Sequence, residues 1–138
     1  MILNIYSDKN PKAQKKDNSV EISKLSSDLC PNHSIDHIMV DQVLSYTDQE
    51  VFKNCLLFCM SKVRLGGTIT IRDIDLDSLS LYLFNKTLSP NDFNNIILDR
   101  KYIHSAKDIK RIAMEDKIEV DTLTLDNYNY TIQLIHNG

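Results

Sequence analysis

Two stretches in the middle of the chain decide the fold: Ser34-Ile-Asp-His-Ile-Met-Val-Asp-Gln-Val-Leu-Ser-Tyr46 and Lys62-Val-Arg-Leu-Gly-Gly-Thr-Ile-Thr-Ile71. The first predicts a strand at residues 35–40, and the second predicts another where isoleucine alternates with threonine. Between them, Thr47 and Glu50 have capping-box spacing, and apolar residues follow at helical intervals. Strand, helix and strand in this order favour two strands of a mainly parallel sheet.

The flanking segments extend the same pattern in both directions. Glycine tolerates the left-handed conformation of a helix stop, so Gly66-Gly67 is expected to end the first helix. Towards the N-terminus we expect short strands at residues 2–6 and 19–22, joined by a polar loop at residues 7–18. Towards the C-terminus we expect helices at residues 76–84, from Ser89-Pro90 and at residues 105–115, then alternating strands at residues 118–125 and 128–136 around Asp126-Asn127. The sequence therefore predicts an α/β fold, with helices on both faces of the sheet and a C-terminal antiparallel hairpin.

Length and charge narrow the classes of function. The chain has 138 residues, which fits one domain over residues 1–138. Its formal net charge of -3 gives no general attraction to nucleic acid or to an anionic membrane, so neither partner is expected. No apolar run approaches the roughly 20 residues of a membrane helix, and the first residues lack the features of a signal peptide. A cytoplasmic location is therefore expected.

The cysteines and histidines show no spacing typical of a metal site. Cys55 and Cys59 lie four residues apart in an apolar helical stretch, which predicts buried thiols rather than a zinc pair. The four histidines are scattered along the chain. The sequence contains only 3 glycines, so it has no glycine-rich phosphate loop. No metal site and no catalytic residue are predicted.

The two central stretches resemble the second half of a class I S-adenosylmethionine-dependent methyltransferase domain. In that family a strand read as F-D-x-I leads to V-L-E-H, and after a helix comes L-K-P-G-G-x-L-x-I. Asp36 and Ile38 match the first pattern, Val43-Leu44 matches the second, and residues 65–71 match the third. The resemblance covers about residues 34 to 136, and it implies a Rossmann-like methyltransferase fold.

The N-terminus is similar to small members of this family that begin L-N-I-G-C-G, a group associated with methylation of sugars and surface polysaccharides. The match is Ile2-Leu-Asn-Ile5, and it implies a cofactor site beside Asn4, Tyr6 and Ser7. The resemblance also implies that Glu21 binds the ribose hydroxyls and that Asp28 faces the adenine. Asp41 and Gln42 follow the strand at residues 35–40, and they are expected where a ligand would lie.

The departures from the family pattern concern the cofactor directly. Glycines in the first turn let the backbone approach a ligand, but this chain has Tyr6-Ser7-Asp8 at those positions. Ser45-Tyr46 replaces the usual E-H pair. The segment between the first and fourth strands of the family is short, so at least one helix is expected to be missing. These departures predict a reduced N-terminal half and a filled or collapsed cleft, with Tyr6 turned into the cofactor space.

Several side chains allow two interpretations from the sequence. Glu21 is either a ribose ligand or an exposed strand charge, and Asp41 and Gln42 are either ligand-binding or solvated. The lysines of the polar loop, Lys9, Lys12, Lys15 and Lys16, indicate either an anion site or a mobile solvated loop, and the second is favoured. Tyr128 and Tyr130 share one face of the last strand, in the core or at the interface of a homodimer formed through the hairpin.

Three functional hypotheses follow. The first is an active S-adenosylmethionine-dependent methyltransferase acting on a sugar or another small acceptor, in which catalysis is chiefly positioning. The second is a degenerate relative without activity or bound cofactor, which keeps the fold as a binding or scaffold module. The third is a different α/β enzyme with a similar sheet, for which no nucleophile motif is present. The second hypothesis is favoured.

Overall fold

A computed structural model describes residues 1–13, 15–115 and 118–137, and its strands form one mixed sheet. The strands are β1 (Ile2–Tyr6), β2 (Ser19–Glu21), β3 (Ile35–Asp41), β4 (Val63–Ile74), β5 (Glu119–Asp126) and β6 (Asn129–Ile135). The helices are α1 (Gln49–Lys62), α2 (Leu76–Phe84), α3 (Pro90–Ile97) and α4 (Ala106–Glu115). Short 3-10 turns lie at Ile22–Lys24 and Leu44–Tyr46.

The strand order is β2-β1-β3-β4-β6-β5. The pairs β2–β1, β1–β3 and β3–β4 are parallel, whereas β6 pairs antiparallel with both β4 and β5. The terminal hairpin and the mainly parallel sheet are therefore confirmed. Because β1 lies between β2 and β3, the order of the strands reverses at β1. In open α/β sheets, ligands bind at such a reversal, beyond the carboxyl ends of the strands.

Side-chain caps explain where the helices begin. The carboxylates of Asp48 and Asp75 accept hydrogen bonds from the backbone N–H three residues later, at 2.9 Å and 3.1 Å. Ser89 caps α3 in the same way, with Pro90 in its first turn. Helix α1 thus begins one residue later than predicted, because the Thr47 hydroxyl donates to the Leu44 carbonyl instead.

The two central glycines lie inside β4 and not at the end of α1, which is a correction to the expected helix stop. Helix α1 ends at Lys62, and β4 begins at once with Val63. The register of β3 and β4 shifts between Ile35 and His37, and Gly66 has a φ of 77° at this irregularity. A Cβ on Gly67 would lie 2.8 Å from the Asp36 carbonyl oxygen, so only glycine fits there.

One face of the sheet forms the core. The registers place Leu3, Ile38, Ile69 and Leu134 side by side across four strands, and all four are buried. Buried residues of α1 and α4 join the same apolar cluster. The cluster also contains Cys55 and Cys59, which are buried free thiols as expected, and Tyr130, which lies in the core. We call this surface the covered face.

The opposite face, which we call the open face, has a different character. Its rows include Ile2, His37, Thr68 and Ile135, which are all half-buried or exposed. The N-terminal half is reduced, because the described part of residues 7–18 connects β1 to β2 without a helix. This connection therefore adds no helix to either face among the described residues. Polar side chains of the open face, such as His37 and Thr68, are only half-buried.

Candidate functional site

A cleft of about 720 Å³ lies beyond the carboxyl ends of β1 and β3, where the strand order reverses. Its floor comes from side chains of the open face. Its walls come from the loop that follows β1 and from the segment around the end of α3. The described residues that line it include Asn4, Tyr6, Ser7, Asn10, Lys12, Lys16, Met39, Asp41, Gln42, Tyr46, Ile74, Asp99, Arg100, Tyr128 and Asn129.

The structure brings together five of the seven residues predicted for the site. Asn4, Tyr6, Ser7, Asp41 and Gln42 all line the cleft. Tyr6 is half-buried and forms part of a wall. The described residues leave the cleft open, so the predicted filling by Tyr6 is not observed.

The other two predicted residues, Glu21 and Asp28, are not among the described residues that line the cleft. Asp28 is exposed in the connection between β2 and β3. Glu21 is buried, which corrects its interpretation as an exposed strand charge.

The carboxylate of Glu21 is engaged by the backbone. Its Oε2 accepts a hydrogen bond from the Asp8 N–H at 2.6 Å, and its Oε1 accepts one from the Ser23 N–H at 2.7 Å. Burial by itself raises the pKa of Glu21, but the hydrogen bonds from Ser23 and Asp8 outweigh it and hold the pKa below its ordinary value. Glu21 is therefore an ionised anchor that ties the start of the polar loop to the end of β2.

Further hydrogen bonds anchor the polar loop at both ends. The Asn10 side chain donates to the Gln42 carbonyl at 3.1 Å, which joins the loop to the end of β3. The Asn4 side chain donates to the Asp17 carbonyl at 3.3 Å, and the Asn4 N–H donates to the Asn18 carbonyl at 2.9 Å. This anchoring places the exposed side chains of Lys12 and Lys16 at the cleft.

Arg100 is a cleft residue that the sequence did not reveal. Its guanidinium lies 4.6 Å from the centre of the Tyr46 ring. Its Nη1 donates to the Ser45 hydroxyl at 2.5 Å, and its Nε donates to the Ile96 carbonyl at 2.8 Å. No local motif signals this role, because the partners at positions 45 and 46 are far away in the chain and meet Arg100 only in the folded protein.

A buried carboxylate supports Arg100 from behind. Asp73 is fully buried at the end of β4, and it accepts hydrogen bonds from the N–H groups of Ser45 at 2.9 Å and Ile74 at 2.7 Å. The Arg100 Nη1 lies 3.6 Å from an Asp73 oxygen. Burial of a charge is tolerated when it is paired and hydrogen-bonded, so this network fixes the guanidinium in one position.

The lining residues define what the cleft can do chemically. Amides at Asn4, Asn10 and Asn129 offer both donors and acceptors, and three tyrosines offer aromatic faces. Burial raises the pKa of Tyr46, and the charge of Arg100 opposes this effect, so its phenol is a neutral donor at pH 7. These groups suit binding by hydrogen bonds, stacking and charge. Among residues 1–13, 15–115 and 118–137, no group of three His, Cys, Asp or Glu side chains is arranged to hold a metal ion.

Similar folds occur among solved methyltransferases. A methyltransferase dependent on S-adenosylmethionine from Methanosarcina mazei matches with a TM-score of 0.64 at 12% identity, over 92% of this chain and 70% of that chain. One from Archaeoglobus fulgidus matches with a TM-score of 0.60 at 18% identity, over 85% of this chain and 66% of that chain. An O-methyltransferase family protein from Burkholderia thailandensis matches with a TM-score of 0.58 at 14% identity, over 76% of this chain but only 31% of that chain.

This chain thus spans between 31% and 70% of the length of these three structures. Neither a protein-family model nor a curated protein matches the amino-acid sequence. Within the described residues, no helix is both long and apolar enough to cross a membrane. The architecture and these structural matches show that the chain has the Rossmann-like fold that is found in class I S-adenosylmethionine-dependent methyltransferases.

Proposed function

We propose that this chain is a degenerate methyltransferase-like domain, spanning residues 1–138, which binds a small molecule in its cleft and does not transfer methyl groups. The proposal rests on the hydrogen bonds that the Glu21 carboxylate makes. Both of its carboxylate oxygens accept backbone hydrogen bonds, and the residue is not among those that line the cleft. The acid that the resemblance assigned to the ribose therefore holds the protein's own loop.

The first turn supports the same proposal on steric grounds. Where the resembling family has glycines, this chain has Tyr6 in the cleft wall and Ser7, which is buried. The Ser7 carbonyl accepts a hydrogen bond from the Asn10 N–H at 3.1 Å, and the Ser7 hydroxyl accepts one from the Lys9 N–H at 3.2 Å. These contacts fold the turn onto itself, so its backbone does not offer the bare surface that an adenosyl thioether would need. The residues present do not fit S-adenosylmethionine, and no methyl-transfer step is assigned to them.

Calorimetric titration of the full chain with S-adenosylhomocysteine and S-adenosylmethionine at millimolar concentration tests the proposal. We expect no saturable heat. Saturable binding that is weakened by Glu21→Gln, with the exposed Glu50→Gln as the matched control, would contradict the proposal because it would make Glu21 a ribose ligand. A soaked crystal with an ordered adenosyl group beside Tyr6 would contradict it as well.

The alternative function is an active methyltransferase acting on a sugar or another small acceptor. The open cleft favours it, because Asp41 and Gln42 stand at the end of β3 where an acceptor would lie. In this case the adenosyl ligand would bind, and labelled methyl groups would pass to the acceptor. A screen of sugar acceptors with labelled S-adenosylmethionine, read out as product label, separates this function from the proposed one.

We also propose a homodimer formed through the C-terminal hairpin. Strand β5 is one of the two edge strands of the sheet, and Leu123 and Leu125 are exposed on it. An exposed edge strand presents unpaired backbone groups that can pair with another chain. Light scattering should give twice the mass of one chain, and Leu125→Lys should lower it to that of one chain. A single-chain mass for the unmodified protein would count against the dimer.

A further inference from the structure

The cleft carries positive charge on two walls, one in the polar loop and one after α3. Lys12 and Lys16 line it from the loop, and Arg100 lines it from the opposite segment. The neighbouring Asp41 lies 3.6 Å from Arg72, so its charge is countered from outside the cleft. Arg100 is itself countered by Asp73, and neither lysine takes part in an ion pair among the described residues. Asp99 also lines the cleft without an ion pair among those residues, so the two lysines outweigh it by one positive charge.

The backbone that carries these lysines is held before any ligand binds. The Lys12 N–H donates to the Asn10 side-chain carbonyl at 2.9 Å, and Asn10 is fixed to the end of β3. The Lys16 carbonyl accepts a hydrogen bond from the Ser19 hydroxyl at the start of β2. A site that is ordered in advance loses less conformational entropy on binding, so its affinity is higher.

Aromatic rings lie in the same cleft. Tyr6 lines it from the end of β1, Tyr128 lines it from the turn just before β6, and Tyr46 stacks under Arg100. Tyrosine rings stack with planar groups, and lysine ammonium groups bind phosphate as point charges. The cleft volume of about 720 Å³ is within the usual range of about 300–1,000 Å³ for small-molecule sites.

We propose that the cleft binds a nucleoside monophosphate or a ligand of the same chemistry, with its phosphate on Lys12 and Lys16 and its planar ring against the tyrosines. This inference rests on the proposed function and names its ligand class. The shared chemistry is a singly phosphorylated group joined to a planar ring. It differs from the adenosyl thioether of a methyl donor, which carries no phosphate.

Calorimetry on the full chain tests the inference with AMP, GMP, CMP and UMP, their four nucleosides and inorganic phosphate. We expect at least one monophosphate to bind about tenfold or more tightly than its nucleoside, which corresponds to one charge-assisted contact. The difference should shrink as salt rises from about 20 mM to about 300 mM, because salt screens exposed charges. The double variant Lys12→Ala/Lys16→Ala should lose about tenfold or more in affinity for that monophosphate.

Lys9 and Lys15 provide the matched control. They belong to the same loop and are exposed, but they are not among the described residues that line the cleft. Lys9→Ala/Lys15→Ala should leave the affinity within about twofold, since rim and distant charges contribute little. Equal losses in both double variants would overturn the inference, because the effect would then come from net charge alone.

The same titrations separate this inference from the proposed function. If no monophosphate binds and S-adenosylhomocysteine also fails to bind, the inference is overturned and the absence of cofactor binding stands. If S-adenosylhomocysteine binds and the monophosphates do not, both are overturned. Circular dichroism of the variants shows whether each is folded, and substitution of these exposed lysines is expected to leave the fold intact.

Discussion

The covered and open faces of the one sheet have opposite characters, although they alternate along the same strands. Ile38 on the covered face is fully buried, whereas Ile2 on the neighbouring strand points to the open face and is 55% exposed. The covered face holds the apolar cluster with α1 and α4. The open face contributes Asn4, Met39 and Asn129 to the cleft floor. This difference teaches that the two faces of one sheet divide the work: one carries the apolar cluster, and the other supplies polar side chains to the cleft.

The same difference explains how the fold accommodates a first turn that contains no glycine. The free energy of folding comes chiefly from apolar area removed from water, and most buried apolar residues belong to the cluster on the covered face. The described residues of the loop after β1 are largely outside that cluster, so changes there cost little of the core. The loop is held instead by hydrogen bonds from Asn4, Asn10 and Glu21.

The largest expected effect comes from truncating one isoleucine on each face. Ile38→Ala should lower the free energy of unfolding by about 3–4 kcal/mol, because it leaves a cavity in the core. Ile2→Ala makes the same chemical change on the open face and should cost less than about 1 kcal/mol. Urea denaturation of both variants measures the difference. Similar decreases in the free energy of unfolding for the two variants would show that the two faces are equally packed, contrary to the difference described above.

A smaller effect is expected at a buried lysine in the helical layer over the covered face. The Lys62 ammonium at the end of α1 donates to the Ser27 and Cys30 carbonyls at 2.7 Å and 2.8 Å, and to the Asn32 side chain at 2.8 Å. Lys62→Met keeps the aliphatic volume but leaves these acceptors unpaired, and should cost about 2 kcal/mol.

The exposed Lys53 of the same helix is the control for this change, and Lys53→Met should stay within about 0.5 kcal/mol of the unmodified protein. Urea denaturation gives both values. An unchanged urea midpoint for Lys62→Met would mean that the hydrogen bonds from Lys62 to the connection before β3 do not stabilise the protein.

The smallest expected effect is a pH dependence that differs between the faces. Burial lowers the pKa of His104, although the charges of Asp73 and Asp108 oppose the effect. Burial also lowers the pKa of His37, which is only half-buried on the open face. In the unfolded chain each histidine takes up a proton near pH 6.5, while the folded state resists it to a lower pH. Stability is therefore complete above about pH 6.5 and falls as the pH drops below it.

His104→Gln should flatten this fall more than His37→Gln, because His104 is buried and its Nε2 is hydrogen-bonded to the Tyr130 hydroxyl. Urea denaturation between pH 7.5 and pH 5 measures the slopes, which one proton limits to about 1.4 kcal/mol per pH unit. A larger change in slope for His37→Gln than for His104→Gln would mean that the open face, and not the covered face, carries the main histidine dependence of stability on pH.

Much of the fold could be predicted from local patterns. Alternation located the strands around Ile69 and Ile71 and the terminal hairpin, since side chains on a strand point to the two faces in turn. The helices expected at residues 76–84 and from Ser89-Pro90 are confirmed, and the structure shows that Asp75 and Ser89 cap them. Thr47 was the wrong cap because Thr47 and Asp48 both carry a capping oxygen, and the sequence does not decide which one accepts the bond. Most residues of the cleft wall near β1 and β3 were predicted, because strand ends meet at one edge of the sheet.

The sequence by itself determined the order of strands and helices, the apolar residues of the core, and the absence of glycine from the first turn, since each depends on residue type and short-range spacing. Only the tertiary structure decided that Glu21 turns inward to its own loop and that Tyr6 borders an open cleft. It also decided that Arg100 meets Ser45 and Tyr46 beside Lys12. These outcomes depend on contacts between residues that are distant in the chain, and a hydrogen bond or ion pair acts only over a few ångströms once folding has brought its partners together.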